Sequence, residues 1–467
     1  MREVLVLSLP LVISTMSWTL MHFIDRIFLL SYSTESVAAA LPSGNLSFAV
    51  ICLPLGITSY VNTFVSQYHG AGRPEKIGVS VWQGVGIGLL TLPFVLATIP
   101  LAPWFFSACD HPVNVARQEA IFYQVNCWGD AAIIISASLS SFFTGRGRVR
   151  TVMIVDSLAA LTNMVLDYAW IFGHWGFPES GIAGAAWATV VALWLKTFLY
   201  LILFLRPRYR ERYGTASGCR FDPEIAWRLL RYGLPSGMQL LLEVAGYAVF
   251  LLFIGKLGEM DMAATSLAFN VNNLAFMPVL GLGLATSTLV GHRMGEERPD
   301  LAARVTRSAF VIGAGYMLLI SAFYVLTPDL ILKAHWSIVE QHDFHQLRDL
   351  TVVLLRFVAA YCLFDAMNVI FSAAIKGAGD TRFVMITTTI TSAIPVLLTW
   401  LGLYHFGLGI YWAWIVMTGW VTVLGFIYMA RFMQGKWRSM RVIEDPLIGD
   451  SQGTAAAVVH AGEALSH

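Results

Sequence analysis

The chain has 467 residues, 57% of them hydrophobic and only 13% charged, with a formal net charge of +1 and a mean hydropathy of +0.66. Soluble domains carry about 25% charged residues, so this composition excludes an ordinary soluble enzyme or nucleic-acid-binding domain and points to an all-α polytopic membrane protein. The five cysteines, Cys52, Cys109, Cys127, Cys219 and Cys362, show neither zinc nor redox spacing and read as apolar helix residues.

The first apolar run, Val4 to Leu30, is too long for a signal h-region and lacks a small-residue cleavage site. It starts close enough to residue 1 that no amphipathic leader is expected before it. In chain order, the apolar runs predict twelve helices. The first six are Val4–Leu30, Val37–Val65, Val79–Leu101, Glu119–Phe143, Thr151–Phe172 and Gly181–Leu205. The second six are Leu229–Leu257, Met262–Val290, Ser308–Leu326, Thr351–Ile375, Phe383–Tyr404 and Leu408–Phe432. Each reaches or approaches the roughly 20 residues that cross the hydrocarbon core.

Several of these helices carry ionisable groups where lipid makes them expensive, by roughly 2.5–3.5 kcal/mol for a carboxylate at a helix centre. Helix 1 has Asp25 on a face shared with Trp18, Met21 and His22, and Arg26 directly after it. Its Pro10 removes a helix hydrogen bond and is either a hinge or a tolerated kink. Pro235 sits at the matching point of helix 7. In helix 5, Asn163 and Asp167 are one turn apart, with Asp156 near the same stripe; in helix 6, Ala185 and Thr189 are one turn apart. A carboxylate, an amide oxygen, a hydroxyl and a carbonyl freed by a bend form an oxygen set suited to sodium or to proton exchange. The alternative is a polar cluster that only locks helices together.

In the second half, Glu243 lies near the middle of helix 7, and Tyr361 and Asp365 lie one turn apart near the middle of helix 10. Two carboxylates in low dielectric cannot both ionise cheaply, so the pair suits a proton, a sodium ion or a cationic substrate in competition. Tyr247, Phe250, Asn270, Asn273, Phe276 and Met277 are candidate substrate-lining residues on helices 7 and 8, as are Trp18 and His22 on helix 1. Aromatic and methionine surfaces suit flat organic cations. Asp130 and Lys196, in helices 4 and 6, are most simply a salt bridge within the first bundle.

Basic residues mark alternate loops: Arg73 and Lys76; Arg146, Arg148 and Arg150; Arg206 to Arg220; Arg293 to Arg307; Lys376 and Arg382; and Lys436 to Arg441. The intervening loops have few. The positive-inside rule then puts both termini in the cytoplasm. The expected organisation is a six-helix bundle over 1–205, a basic cytoplasmic linker over 206–228, a second bundle over 229–432 and a disordered cytoplasmic tail over 433–467.

The halves carry matching motifs in matching order. Ser66-Gln67-Tyr68-His69-Gly70-Ala71-Gly72-Arg73-Pro74-Glu75 parallels Gly291-His292-Arg293-Met294-Gly295-Glu296-Glu297-Arg298-Pro299-Asp300, and Gly145-Arg146-Gly147 parallels Gly377-Ala378-Gly379. Six spans per half make this a parallel pseudo-repeat, with a substrate site expected between the halves.

With Phe23-Ile24-Asp25, Gln67 to Arg73, Asn163 with Asp167, Gly181 to Thr189, Glu243 and Phe364-Asp365-Ala366, the chain resembles the multidrug and toxic compound extrusion family in its NorM-like bacterial branch. The resemblance covers nearly all of Val4 to Phe432. It implies an antiporter that exports cationic, lipophilic compounds against inward sodium ions or protons, by alternating access between two bundles. It carries cation-binding roles to Asp25, Asn163, Asp167 and Thr189 in one bundle and to Glu243, Tyr361 and Asp365 in the other, with sodium possible at either set. It implies no cofactor, a monomer in lipid, a bacterial inner-membrane location and no nucleic-acid partner. Arg26 departs from the small polar residue usual in the family. A lipid-linked sugar flippase would share the architecture but tends to have a more cationic cavity. An intramembrane enzyme is disfavoured because no HExxH, Gly-x-Ser-x-Gly or phosphate-loop motif is present.

Overall fold

The computed structural model describes residues 1–109, 111–333 and 344–444; most of the expected tail, 445–467, lies outside them. Among the described residues, twelve helices are long and apolar enough to cross a membrane. They are α1 (Arg2–Tyr32), α2 (Thr34–Gly70), α3 (Glu75–Ser107), α4 (Val113–Thr144), α5 (Val149–Phe172) and α6 (Gly181–Phe204), then α7 (Pro223–Gly255), α8 (Glu259–Gly295), α9 (Pro299–Leu326), α10 (His345–Ala378), α11 (Thr381–His405) and α12 (Ile410–Gln434). The helix count matches the sequence expectation, and most helices run several residues further into the loops. α2 is interrupted at Tyr60, and α3 is interrupted by a 3-10 turn at Ile99–Leu101.

Within the first half, α1 packs on α5, α2 on α4, α3 on α4 and α4 on α6. The same pairings recur six helices later: α7 on α11, α8 on α10, α9 on α10 and α10 on α12. The central helices α2, α4, α8 and α10 bury half or more of their apolar windows, and the others leave most of theirs less than fully buried, as lipid-facing helices do. α1 and α5 both keep Pro10-containing and Asp167-containing faces inward: Pro10, Asn163 and Asp167 are all buried. α1 stays helical through Pro10, and α7 through Pro235.

The halves meet through three main crossings, α1 with α8, α2 with α7 and the last turns of α2 with α8. In lipid, helices associate by close packing and interhelical hydrogen bonds rather than by hydrophobic exclusion. The α2–α7 crossing shows this. A Cβ built on Gly56 falls 2.4 Å from the Cα of Gly237, and one built on Gly237 falls 2.3 Å from the Leu53 carbonyl oxygen. Polar contacts reinforce the junction. Asn62 Nδ2 donates to Thr288 Oγ1 (3.0 Å), Gln67 Nε2 to the Gly377 carbonyl (3.0 Å), and the Tyr60 hydroxyl to the Lys376 carbonyl (2.8 Å). His292 Nε2 lies 2.6 Å from the Gly145 carbonyl oxygen. Among the described residues, hydrogen bonds between the halves reach no further from the basic-loop end than Thr15, whose hydroxyl lies 3.2 Å from the Met277 carbonyl. The halves are therefore joined at the basic-loop end and unjoined by hydrogen bonds at the other.

Two segments differ from the sequence expectation. The linker 206–228 contains a short helix, Pro207–Tyr213, and the first residues of α7, which an Asp222 N-cap starts by accepting from the N–H groups of Glu224 and Ile225 (3.1 Å each). Residues 433–444, expected to be disordered, are an ordered strap. Within a 3-10 turn at Lys436–Ser439, Trp437 is buried and stacks on Phe432 at 4.9 Å; beyond it, Val442 and Ile443 are buried in the core of the first half. Val442 N–H donates to Gln67 Oε1 (2.9 Å), and the Glu444 carboxylate accepts from the Tyr68 hydroxyl (2.9 Å) and pairs with Arg73 and Arg228. Arg441 reaches Glu297 of the second half at 2.9 Å.

Candidate functional site

In the first half, α1, α5 and α6 bring Asp25, Asn163, Asp167 and Thr189 into one cluster. Asn163 and Asp167 share a face because they are one helical turn apart. The α5–α6 approach is close because Gly184 lies under the Trp170 carbonyl, where a Cβ would sit 2.7 Å from the oxygen. With the Asn163 nitrogen facing the carboxylates, it donates to Asp25 Oδ1 (2.9 Å) and Asp167 Oδ2 (3.1 Å). The Asn163 oxygen then accepts from the Thr189 hydroxyl (3.2 Å) and backbone N–H (3.3 Å). The Thr189 hydroxyl is also 3.1 Å from the Ala185 carbonyl oxygen, the turn predicted from sequence. Asn163 and Asp167 are fully buried, yet Asp167 Oδ1 has no hydrogen-bond partner. Buried polar atoms are normally satisfied, and an orphaned carboxylate oxygen calls for a proton, an ion or a water. His22 Nδ1 lies 3.6 Å from Asp25 Oδ2, and the His22 ring stands edge-on to Trp18 at 4.7 Å.

In the second half, α7 and α10 bring Glu243 and Asp365 within electrostatic reach of each other. They do not share a hydrogen bond among the described residues. Glu243 Oε1 accepts from Gln239 Nε2 (2.8 Å), and Tyr361, which is buried, takes a 3.4 Å contact from Asn272 Nδ2. The charge of Lys376, at the basic-loop end of α10, also acts on Glu243. Beside Glu243, a cavity of about 180 Å³ lies between α7, α11 and α12, lined by Tyr247, Phe250, Phe253, Pro395, Met417 and Trp420 among others.

The remaining predicted lining residues are dispersed. Tyr247 and Phe250 face the Glu243 cavity, whereas Trp18 lines a small cavity in the first half. Asn270 and Asn273 are exposed, and Phe276 and Met277 are half-buried. The asparagine of α8 that reaches the Tyr361 cluster is Asn272, which lies between the two that periodicity selects. Its Oδ1 is buried without a partner. Gln239 was also missed; the signal was its position one turn before Glu243 on the same face.

The expected Asp130–Lys196 salt bridge is not formed. Asp130 turns toward α2, where the Ser47 hydroxyl lies 2.9 and 3.0 Å from its two oxygens. Lys196 turns toward α5, where its ammonium is 2.9 Å from Asp156 Oδ1. Each group is held by a different neighbouring helix, Asp130 by α2 and Lys196 by α5. Arg26 is exposed, and among the described residues no carboxylate lies within ion-pair distance of it.

Two carboxylate clusters, one per half, inside the twelve apolar helices of the described residues define a multi-pass membrane protein whose fold is that of membrane transporters. A family model described as MatE matches residues 10–169 and 235–401, and the chain belongs to the MatE family. The two matched stretches open at Pro10 and Pro235. Over 390 residues, the chain is 29% identical to a "Probable multidrug resistance protein NorM" of Xanthomonas campestris pv. campestris, covering 81% of this chain and 82% of the relative. It is 25% identical to "Multidrug resistance protein NorM" of Photobacterium profundum, covering 83% and 84%. Among solved structures, a MOP superfamily transporter from Pyrococcus furiosus superposes with a TM-score of 0.84 at 20% identity, covering 94% of this chain and 97% of that one.

Proposed function

We propose that the protein is a secondary antiporter that exports cationic, lipophilic compounds in exchange for inward-moving sodium ions or protons, by alternating access between its two halves. The observation that carries this reading is the N-terminal cluster. It holds two carboxylates around one amide, with an unpaired Asp167 oxygen and, among the described residues, no lysine or arginine within ion-pair distance. A buried carboxylate without a fixed counter-charge is stable only with a proton or a mobile cation. Asp25, Asn163, Asp167 and Thr189 would hold that ion. Glu243, Tyr361 and Asp365 would offer a second acidic site, next to an aromatic cavity without lysine or arginine in its lining. An acidic, aromatic lining favours an organic cation over a lipid-linked sugar phosphate.

By the positive-inside rule, the joined end faces the cytoplasm and both termini lie there, in the cell membrane. The described arrangement is then the outward-facing state. One monovalent cation moving inward releases roughly 2.3 kcal/mol per 100 mV, enough for modest uphill export. The multidrug export named for the NorM relatives, action as a monomer in lipid and the absence of any cofactor belong to the same reading.

The test is dye efflux from proteoliposomes under an imposed sodium or pH gradient, with Asp25→Asn, Glu243→Gln and Asp365→Asn. Each is expected to lower gradient-driven efflux by about tenfold or more, the equivalent of one lost charge-assisted hydrogen bond. Full coupling in all three variants would remove both clusters from the mechanism.

A further inference from the structure

Two turns closer to the basic-loop end than Asn163 lies a second polar layer of the same bundle. The Asp156 carboxylate of α5 is fully partnered. Its Oδ1 accepts from the Lys196 ammonium (2.9 Å) and the Tyr200 hydroxyl (2.8 Å), and its Oδ2 accepts from the Ser14 hydroxyl of α1. Asp156 and Lys196 are 14% and 19% exposed. An ion pair this enclosed gains little stability over apolar residues of the same shape, so its presence calls for another reason.

Its placement suggests one. Asp156 precedes Asn163 by two turns on α5, and Lys196 follows Thr189 by two turns on α6, a drop of about 10 Å at 1.5 Å per residue. Between the layers is a cavity of about 30 Å³, lined by Met21, Ala159, Ala160 and Ala192 above and by Ser14, Trp18, Asp156 and Lys196 below. That is room for a water-sized occupant. Met21, Ala160 and Ala192 each lie three or four residues from Asp25, Asn163 and Thr189 respectively, so the cavity opens on the Asp156 layer and ends about one helical turn short of the upper one. Asp156, Ser14 and Tyr200 supply carboxylate and hydroxyl oxygens, the donor type a sodium ion takes. The two hydroxyls converge on the Asp156 carboxylate, and the Lys196 ammonium, 2.9 Å from its Oδ1, is the cation that this set holds.

We propose that Lys196 is a tethered cation that closes the inner end of the N-terminal ion site. By filling the oxygen set at Asp156, it denies that station to a mobile cation. An ion held at Asp25 and Asp167 then has no step inward along the bundle and leaves only when the halves rearrange. This rests on the antiport reading for its role, but its test reads sodium alone.

The experiment uses the full-length protein in proteoliposomes, with radiolabelled sodium on one side and no organic cation. Lys196→Met is expected to raise sodium flux at least tenfold over the wild type, and Lys196→Arg, which keeps the charge, is expected to stay tight. Adding Asp156→Asn to Lys196→Met removes the attracting carboxylate and is expected to close the leak. Lys196→Gln makes the same charge change with a hydrogen-bonding side chain, should the methionine variant not assemble. Sodium flux at wild-type level in the folded methionine or glutamine variant overturns the proposal, as does a leak that persists with Asp156→Asn. Wild-type vesicles that fail to move dye under either gradient would sink the antiport reading and leave the leak comparison intact.

Discussion

Asn163 bridges the carboxylates of α1 and α5: one amide nitrogen donates to both Asp25 and Asp167, and its oxygen ties both to Thr189. Replacing it with leucine keeps much of its volume and strips the bridge. Leaving a buried acceptor without its donor costs about 1–3 kcal/mol, here on both carboxylates. Asn163→Leu is expected to lower gradient-driven dye efflux by about tenfold or more and to leave Glu243→Gln with little further effect; unimpaired efflux would show that the bridge is only structural. The residue identities of this cluster were legible because turn spacing puts Asn163 with Asp167 and Ala185 with Thr189 on shared faces. The partners of Lys196 and Asp130 were not. One-turn spacing says which residues share a face of one helix, but not which neighbouring helix that face meets. Asn272 was missed for the same reason, since Asn270 and Asn273 differ from it only in the direction the packed α8 happens to turn.

At the level of elements, the α2–α7 crossing depends on two glycines and the strap depends on one tryptophan. A valine at Gly237 has no room, because even a Cβ there meets the Leu53 carbonyl oxygen at 2.3 Å. Gly237→Val is expected to push α7 off α2 and prevent the basic-loop end from closing. In cells, a thiol reagent should then label a cysteine introduced at Thr288 that is inaccessible in the wild type; equal protection in both would mean that the crossing tolerates the side chain. Trp437 anchors the strap from a fully buried position on Phe432, with its Nε1 donating to the Phe432 carbonyl at 2.8 Å. Truncating a buried tryptophan costs about 3–5 kcal/mol, so Trp437→Ala should lower the melting temperature in detergent by several degrees. An unchanged melting temperature would mean that the strap contributes nothing to the fold. The strap was read as tail because composition judges segments by their average. Lys436, Arg438 and Arg441 make it polar, and a lone Trp437 among them gives no periodic signal.

The molecule as a whole is two similar sets of pairings held together at one end. The helix count and the alternation of basic loops were legible in the sequence, because span length and loop charge are local quantities that lipid and membrane potential act on directly. Which end of the halves is joined was not, since it depends on inter-half contacts such as Asn62–Thr288, Gln67–Gly377 and Tyr60–Lys376. In the alternating-access cycle proposed above, these are the contacts that would break. Gln67 is the most exposed to that requirement: it donates to the second half and accepts from the strap's Val442 N–H, so opening the joined end must release both. The Asn62–Thr288 contact offers a direct handle, because its side chains meet at 3.0 Å within a buried crossing. In a background lacking the exposed Cys109 and Cys219, Asn62→Cys with Thr288→Cys should cross-link on oxidation. Oxidised protein is expected to lose nearly all dye efflux in proteoliposomes and to regain it with reductant. Efflux that continues while mass spectrometry shows complete cross-linking would mean that the halves stay joined at this end throughout transport, and that substrate moves without the rearrangement proposed above.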